Sequence, residues 1–511
     1  MRIKDAVWKV KNLIIVQVLF YLIASVGIAF IPVCNKYLVD DFQRGAFKNV
    51  YSLIIGYIVC YGIYLLAGWI SERFVWKTAI AFENVLKKVC FEKLTQVSYR
   101  VYKRKKNEEY LSLLTNNITA IEQDYLQPVC SLIKTSVMIL VYAVIISVYT
   151  SPIICLFLLG LSLIAVFSPK IYKNKLKKSG KEYVDATADY TKHISDLLAG
   201  IELVNGNTRK AFLNQNNAIT DELSHKRYRL GKAKTNGNTI SGSMICFIDI
   251  GIFILCVYLL KEGSITAGIA VAAITYGQSF ADPMQELLYI FNMLNSSKDI
   301  VKNMEQLMEF EDDTVESVSG DADLNVCDKT VEFENKKLVF NGKFKRNEKY
   351  LLVGESGKGK STLLNLISNR IDGIDFDLNP EQIFYLSQEQ HIFSEDVFNN
   401  ISIFGAYRDY KTYGIEGMPI FKNIKDKLDC SNLSGGEKQV VKFLRMLAQQ
   451  KKILLIDEPF SALDNEVSKK LFHILTEMDA TIIMVTHQSE FDEADKAKWD
   501  VVNIGEICTE K

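Results

Sequence analysis

The chain has 511 residues, 49% of them hydrophobic, and its 60 basic side chains balance 60 acidic ones to a formal net charge of zero. That length exceeds what one compact core organises, so two or more domains are expected. Balanced charge leaves no global field to recruit a polyanion, and nucleic acid is not an expected partner. The ten cysteines are scattered, many lie in apolar runs and none forms a C-x-x-C pair, which supports neither a disulfide framework nor a zinc site.

Up to about residue 300, long apolar runs alternate with long charged stretches. Candidate membrane spans cover 13–34, 50–70, 132–149, 152–167, 244–260 and 265–281, and most reach or extend to the roughly 20 residues that a helix needs to cross about 30 Å of hydrocarbon. A single run of this kind also suits a buried soluble helix. Six in one half of a chain point to an integral membrane protein with the lipid bilayer as its surroundings. The first run is long and has no A-x-A site after it, so it is expected to be a retained anchor and not a cleaved signal.

The segments 71–128 and 168–239 each hold on the order of ten or more Lys and Arg, whereas the links 149–152 and 261–264 hold almost none. Both long segments and both chain ends are therefore expected on the cytoplasmic side. KRKK at 103–106 need be no more than a solvated helix face. Within the long segments, AFENVLKKVCFEKL and YVDATADYTKHISDLLAGI space apolar residues as helices do, so the membrane helices are expected to continue into the cytoplasm. Asp249, in ICFIDIGIFIL, is the conspicuous polar residue of the spans. A carboxylate there implies a partner or a wet cavity, and cargo contact and an interhelical hydrogen bond both fit. These features read as an all-α six-helix transmembrane domain over 1–310, followed by a polar acidic linker over 311–327 and a soluble α/β domain over 328–511.

The soluble part opens on a strand-like VEFE (331–334). YLLVG (350–354) then runs into GESGKGKS (354–361) and a helix. In this loop Gly354, Gly357 and Gly359 let the backbone wrap a triphosphate, and the amides that start the helix face it. Lys360 supplies a point charge and Ser361 a hydroxyl for Mg2+; Glu355, Ser356, Lys358 and Thr362 complete the candidate ATP-binding loop. ILLIDEP (453–459) places Asp457 at the end of a buried strand, where it can hold Mg2+ directly or through water, and Glu458 beside it to orient or deprotonate a water. Gln388 follows another short strand and can reach the metal or the attacking water. His487 ends the strand IIMVTH. LSGGEKQ (433–439) is a second serine-glycine stretch suited to close approach to phosphate.

The ordered set GESGKGKS, Gln388, LSGGEKQ, ILLIDEP, SALD (461–464) and His487 resembles the ATP-binding cassette of ABC transporters, over about 327–511. The amino-terminal part is similar to the transmembrane domain of the exporter-type members, with GSITAG (263–268) and LAGIELVNG (198–206) adding to the likeness. The resemblance implies a P-loop NTPase domain in a half-transporter that moves an unknown cargo at the expense of ATP and Mg2+. It also implies that Ser434, Gly435 and Gly436 close the nucleotide site of a second cassette, so that a second copy of the chain is a partner. A homodimer is favoured over a heterodimer, because the cassette core shows no degenerate element. The implied roles are binding of the β- and γ-phosphates by Lys360 and the loop amides, arrangement of Mg2+ by Ser361, Gln388 and Asp457, and action on water by Glu458. His487 would contact the γ-phosphate and Asp464 would link the two sites. Three features depart from the pattern. The stretch after the first strand is short, leaving Phe340 as the nearest candidate to stack on adenine, with a core phenylalanine as the alternative. IKDKLDCSN lacks the acidic-glycine motif common before the signature. No cysteine-protease domain precedes the first span, so leader-peptide cleavage is not expected. The cargo class remains open between peptide, lipid and amphipathic small molecule. An importer on the same scaffold and an ATP-gated regulator or channel are the alternatives.

Overall fold

An apolar run flanked by charge becomes a long helix, because only a helix satisfies every backbone group internally where water is absent. The computed structural model describes residues 3–45, 50–167, 172–308, 323–333, 336–355, 357–371, 382–408, 413–487 and 491–510. It divides into one unit of Met1–Thr95 with Asn107–Phe310 and a second of Gln96–Lys106 with Glu311–Lys511. Most of the expected linker lies outside the described residues. Its last part contains a short strand, β1, Leu324–Asn325.

In the first unit, Lys11–Gln43, Val50–Gln96 and Asn107–Tyr149 are long and apolar enough to cross a membrane. The other three expected spans fall on the helices Pro152–Phe167, Arg209–Lys261 and Ala267–Ser296; among the described residues these do not meet the same length and composition test. Val50–Gln96 has 47 residues and Arg209–Lys261 has 53. At 1.5 Å per residue each measures about 70–80 Å, more than twice a hydrocarbon core of about 30 Å, so both continue well past it. Val50–Gln96 turns Ile54, Ile55, Ile58, Leu65 and Leu66 outward, an apolar surface suited to lipid tails and not to water.

The inner faces of these helices, Val50–Gln96 excepted, share a core that includes Ala29, Tyr142, Ile146, Leu158, Ile252, Tyr276 and Phe280. The Tyr276 hydroxyl donates to the Ala29 carbonyl at 2.6 Å. Asp40, 7% exposed, accepts from the Gly268 amide at 3.0 Å and the Thr266 hydroxyl at 3.1 Å. This buried carboxylate sits at the positive start of Ala267–Ser296, where the helix dipole favours it. It also explains GSITAG, since a Cβ on Gly268 would overlap the Lys36 carbonyl and the Asp40 carboxylate. Asp249 is half-buried, and its Oδ1 lies 3.4 Å from the place a Cβ would occupy on Gly277, which puts it between the helices Arg209–Lys261 and Ala267–Ser296.

In the second unit the remaining strands are β2, Lys329–Phe333; β3, Lys336–Phe340; β4, Lys343–Phe344; β5, Lys349–Val353; β6, Ile383–Leu386; β7, Ile453–Asp457; β8, Thr481–Val485; β9, Asp500–Asn503; and β10, Cys508–Glu510. Five form a parallel sheet in the order β6-β7-β8-β5-β9. Beside it stand the antiparallel sheet β10-β3-β2 and the pair β1-β4. β7 and β8 are buried along their whole length, as parallel strands covered on both faces must be. Alternate residues serve opposite faces. Leu352, Leu455, Ile483 and Val485 pack with Leu363, Leu366 and Ile367 of the helix Lys360–Ile367. Leu351, Leu454, Ile456 and Met484 pack with Val440, Phe443, Leu444 and Leu447 of the helix Gly435–Gln449. The helix after the phosphate loop and the helix after LSGG thus occupy opposite faces of one sheet.

Gly268→Ala should lower the thermal unfolding midpoint in detergent, by an amount that reflects overpacking of about 1–3 kcal/mol. Gly160→Ala, where nothing lies within 4 Å of the added carbon, serves as the control. Equal midpoints would contradict the close approach at Gly268.

Candidate nucleotide site

The sheet delivers its functional side chains at the carboxyl ends of β5, β6, β7 and β8, where the backbone leaves the ladder and polar groups become free to meet a ligand. After β5 the chain enters the glycine loop with Gly354 at φ +139°, Gly357 at +80° and Gly359 at +97°, all in a region that side chains avoid. A Cβ on Gly354 would overlap Ile504, and one on Gly359 would press against Leu338 at 3.2 Å. Lys360, 8% exposed, folds back so that Nζ donates to the carbonyls of Gly354 at 2.7 Å and Glu355 at 2.9 Å. Its ammonium is therefore held inside the loop. Glu355, Lys358 and Ser361 are exposed and Thr362 is half-buried, while Ser356 lies outside the described residues. Phe340 corrects an expectation: it is 0% exposed and packs in the core beneath the loop, with its Cζ 3.5 Å from a Cβ built on Gly359. A ring enclosed on all sides has no face left for a base.

Asp457 closes β7 directly beside Val485 of β8. Glu458 follows in the left-handed region, φ +50°, with its amide donating to the Val485 carbonyl at 2.9 Å. That conformation is costly for a side-chain-bearing residue and is commonly found where a fold aims a functional group. His487, two residues past the end of β8, brings Nε2 to 3.5 Å from Glu458 Oε1. Two consecutive residues of one strand end and a histidine from the next strand thus meet at the sheet edge.

Ser434 caps the helix Gly435–Gln449. Its hydroxyl accepts from the Glu437 amide at 3.4 Å, and the Glu437 carboxylate accepts from the Ser434 amide at 2.8 Å. This amide and Lys427, 3.1 Å away, hold the Glu437 carboxyl below its ordinary range. Gly436 lies against SALD, since a Cβ there would come within 2.8 Å of the Ala462 carbonyl. Asp464 caps the helix Asn465–Glu477, accepting from the Val467 amide at 2.8 Å. The Gln388 side chain is exposed.

The ABC transporter transmembrane region matches over residues 14–284, and the ABC transporter domain over residues 339–461. This chain belongs to the ABC transporters. Transmembrane region and cassette share one chain, the arrangement of an exporter-type half-transporter, and the cassette is an ATP-binding domain. Among relatives, the uncharacterised ABC transporter ATP-binding protein YwjA of Bacillus subtilis is 24% identical over 91% of this chain and 88% of its own length. The ATP-dependent lipid A-core flippase of Photobacterium profundum is 23% identical over 68% of this chain and 66% of its own. The thiamine import ATP-binding protein ThiQ of Haemophilus ducreyi is 34% identical, over only 34% of this chain and 90% of its own.

This ABC transporter supports its site with residues that sequence reading did not single out. Tyr385, on β6, donates its hydroxyl to Asp457 Oδ2 at 3.3 Å, and burial followed by the Asp457 charge pushes the phenol well above its ordinary range. Arg370 stacks on Tyr385, 4.5 Å from the ring centroid, and on Tyr99, 4.6 Å away; burial pulls its guanidinium below the usual value. Tyr99 opens the short helix Tyr99–Tyr102 within the segment Gln96–Lys106, which belongs to the cassette's unit. Lys442, 7% exposed, donates to the Gln388 carbonyl at 2.8 Å, and burial lowers its basicity. Arg445, one turn on, donates to the carbonyls of His391 and Asn400, both at 2.7 Å, and burial lowers it to about 10. The helix that starts at the signature therefore fixes the backbone of the Gln388 loop. A period of three along a helix marks residues 442 and 445 as one face; what they hold is not local and has no sequence signature.

Lys442→Met should lower kcat for ATP hydrolysis about tenfold and move the ATP KM by no more than about twofold, because it frees the loop without touching the phosphate cradle. Lys442→Arg should restore most of the rate. A kcat for Lys442→Met equal to wild type would contradict the tether.

Proposed function

We propose that the chain is one half of an ATP-driven exporter, working as a pair of identical chains in a bacterial plasma membrane, with six spans and with both termini and the cassette in the cytoplasm. The cargo would be a peptide, a lipid or an amphipathic small molecule. The observation that carries the paired reading is the assignment of the phosphate-loop helix and the signature helix to opposite faces of one sheet. Ser434, Gly435 and Gly436 are then poorly placed to complete their own chain's site and well placed to close a second one. Isologous pairing yields two equal sites, and Asp464, which follows β7 in the SALD stretch whose Ala462 lies against Gly436 of the signature, would link them. Relatives named for lipid A-core flipping and for lactococcin-A transport, the latter from Lactococcus lactis and 26% identical over 52% of this chain and 41% of its own length, support outward transport.

The residues present fit a nucleotide with Mg2+. Three positive-φ glycines open a concave backbone, Lys360 holds a charge inside it, and Asp457 offers a carboxylate at the strand edge. Ser361, Gln388 and Asp457 would hold Mg2+, whose charge offsets that of the β- and γ-phosphates. Lys360 and the loop amides fix the phosphates, and on binding Lys360 exchanges the carbonyls of Gly354 and Glu355 for phosphate oxygens. Glu458 takes the proton of the attacking water, held on station by its fixed backbone, and His487 contacts the γ-phosphate from the next strand. Two bound ATP molecules favour the closed pair by their differential affinity for it, and hydrolysis releases that bias. The motion would reach the membrane helices through segments that touch a cassette. Of the excursions expected near 107–118 and 200–206, the second carries Ile201 and Leu203, with Leu198 just before it, all about 60% exposed. For the first, the stacking of Tyr99 on Arg370 supports an earlier segment, Gln96–Lys106, in that role.

Glu458→Gln should reduce ATP hydrolysis at least about a hundredfold and retain ATP binding, and it should hold the pair closed in ATP, as read by light scattering and nucleotide trapping. Turnover near the wild-type rate would reject the assignment of the base.

A further inference from the structure

A cavity of about 220 Å³ opens between the helices that carry Gln17, Glu72, Glu122 and Glu286, many times the ~10–15 Å³ needed by one water. It sits at the ends of the expected spans that adjoin the long basic segments. Glu72 lies just past 50–70, Glu122 before 132–149 and Glu286 just past 265–281, which is why an inspection of the apolar windows finds Asp249 and not these residues.

Beside the neutral groups of Gln17, Gln127 and Ser131, its wall carries the carboxylates of Glu72, Glu122 and Glu286 against the single cation of Lys134. Lys134, 9% exposed, is engaged already, with Nζ donating to Glu72 Oε1 at 3.1 Å and lying 5.3 Å from the Tyr21 ring centroid. The Tyr21 hydroxyl donates to Met138 Sδ at 3.3 Å. Glu122, 4% exposed, accepts from Gln127 Nε2 at 2.9 Å. It begins a π-helical turn, Glu122–Leu126, a departure from α geometry that recurs at functional sites. Gln17 is 1% exposed and lines the same cavity, yet its Oε1 has no hydrogen-bond partner among the described residues. With Lys134 balanced by Glu72, the carboxylates of Glu122 and Glu286 and the amide oxygen of Gln17 remain as acceptors around one space. A neutral apolar cargo would leave them bare, and an anionic cargo would meet like charge.

We propose that this cavity binds the cationic nitrogen of an amphipathic amine, an ammonium or guanidinium that donates to Gln17 Oε1, Glu122 and Glu286. The inference rests on the transport reading and names the class of cargo.

The full-length protein in lipid nanodiscs, without nucleotide, is titrated with dansylcadaverine, a fluorescent primary amine, and with its uncharged N-acetyl analogue, by anisotropy. The amine should bind saturably and the acetylated form at least about tenfold more weakly. The Glu122→Gln/Glu286→Gln double variant should weaken amine binding about tenfold and leave the acetylated form unaffected. Equal affinities of the two probes for the wild-type protein overturn the proposal however any variant folds, and so does a folded double variant that binds the amine like wild type. Displacement by dodecylamine or by a lysine-rich amphipathic peptide supports the site and tells which molecule supplies the ammonium; displacement by neither overturns it. Since the titration contains no ATP, failure of the hydrolysis or pairing reading leaves this outcome untouched, and the reverse also holds.

Discussion

A parallel sheet has two faces and one carboxyl edge, and the cassette divides its phosphate-handling parts between them. The edge collects Asp457, Glu458, His487 and the start of the glycine loop. The faces keep the helix Lys360–Ile367 and the helix Gly435–Gln449 apart. Because side chains alternate along each strand, this separation is built into the strand sequences: Leu454 and Ile456 anchor one helix, Leu455 the other. The two helices are anchored in separate cores, an arrangement that fits the proposed division of labour between two chains.

The same signature helix has a second duty inside its own chain. Lys442 and Arg445 bond the backbone at Gln388, His391 and Asn400, which ties the helix that starts at Ser434 to the loop of the residue expected to face Mg2+. On the other side of the sheet, the stack of Tyr99, Arg370 and Tyr385 ends on Asp457. Contacts made at the signature and contacts made by the segment Gln96–Lys106 thus both reach the carboxyl edge, through different cores.

The cassette motifs were legible in the sequence because phosphate chemistry dictates their residue types locally. Gly354 and Gly359 must adopt positive φ, and Asp457 must end a buried strand. Burial and long-range pairing are properties of the folded chain, and there the reading failed or was silent. Phe340 looks like any aromatic near the first strand until β2 and β10 pair on either side of β3. Tyr385 and Asp457 are 72 residues apart and Gln388 and Lys442 are 54 apart, distances over which no periodicity speaks. In the membrane part, hydropathy located the runs but overlooked the carboxylates just beyond them, since Glu72, Glu122 and Glu286 acquire a common environment only when four helices pack. GSITAG carries a family resemblance, and the physical reason for its glycine, a buried Asp40 on the amide of Gly268, is a contact across 228 residues.

Complementation between two inactive variants tests the shared site most directly. Lys360→Ala spoils the phosphate loop and Ser434→Arg the signature, and each alone should abolish ATP hydrolysis. If every site is built from the loop of one chain and the signature of the other, a mixed pair contains one site with both lesions and one with neither, and co-expression should restore hydrolysis. If instead each chain completes its own site, both sites in the mixed pair stay broken, and a purified mixed pair as inactive as its parents would contradict the account.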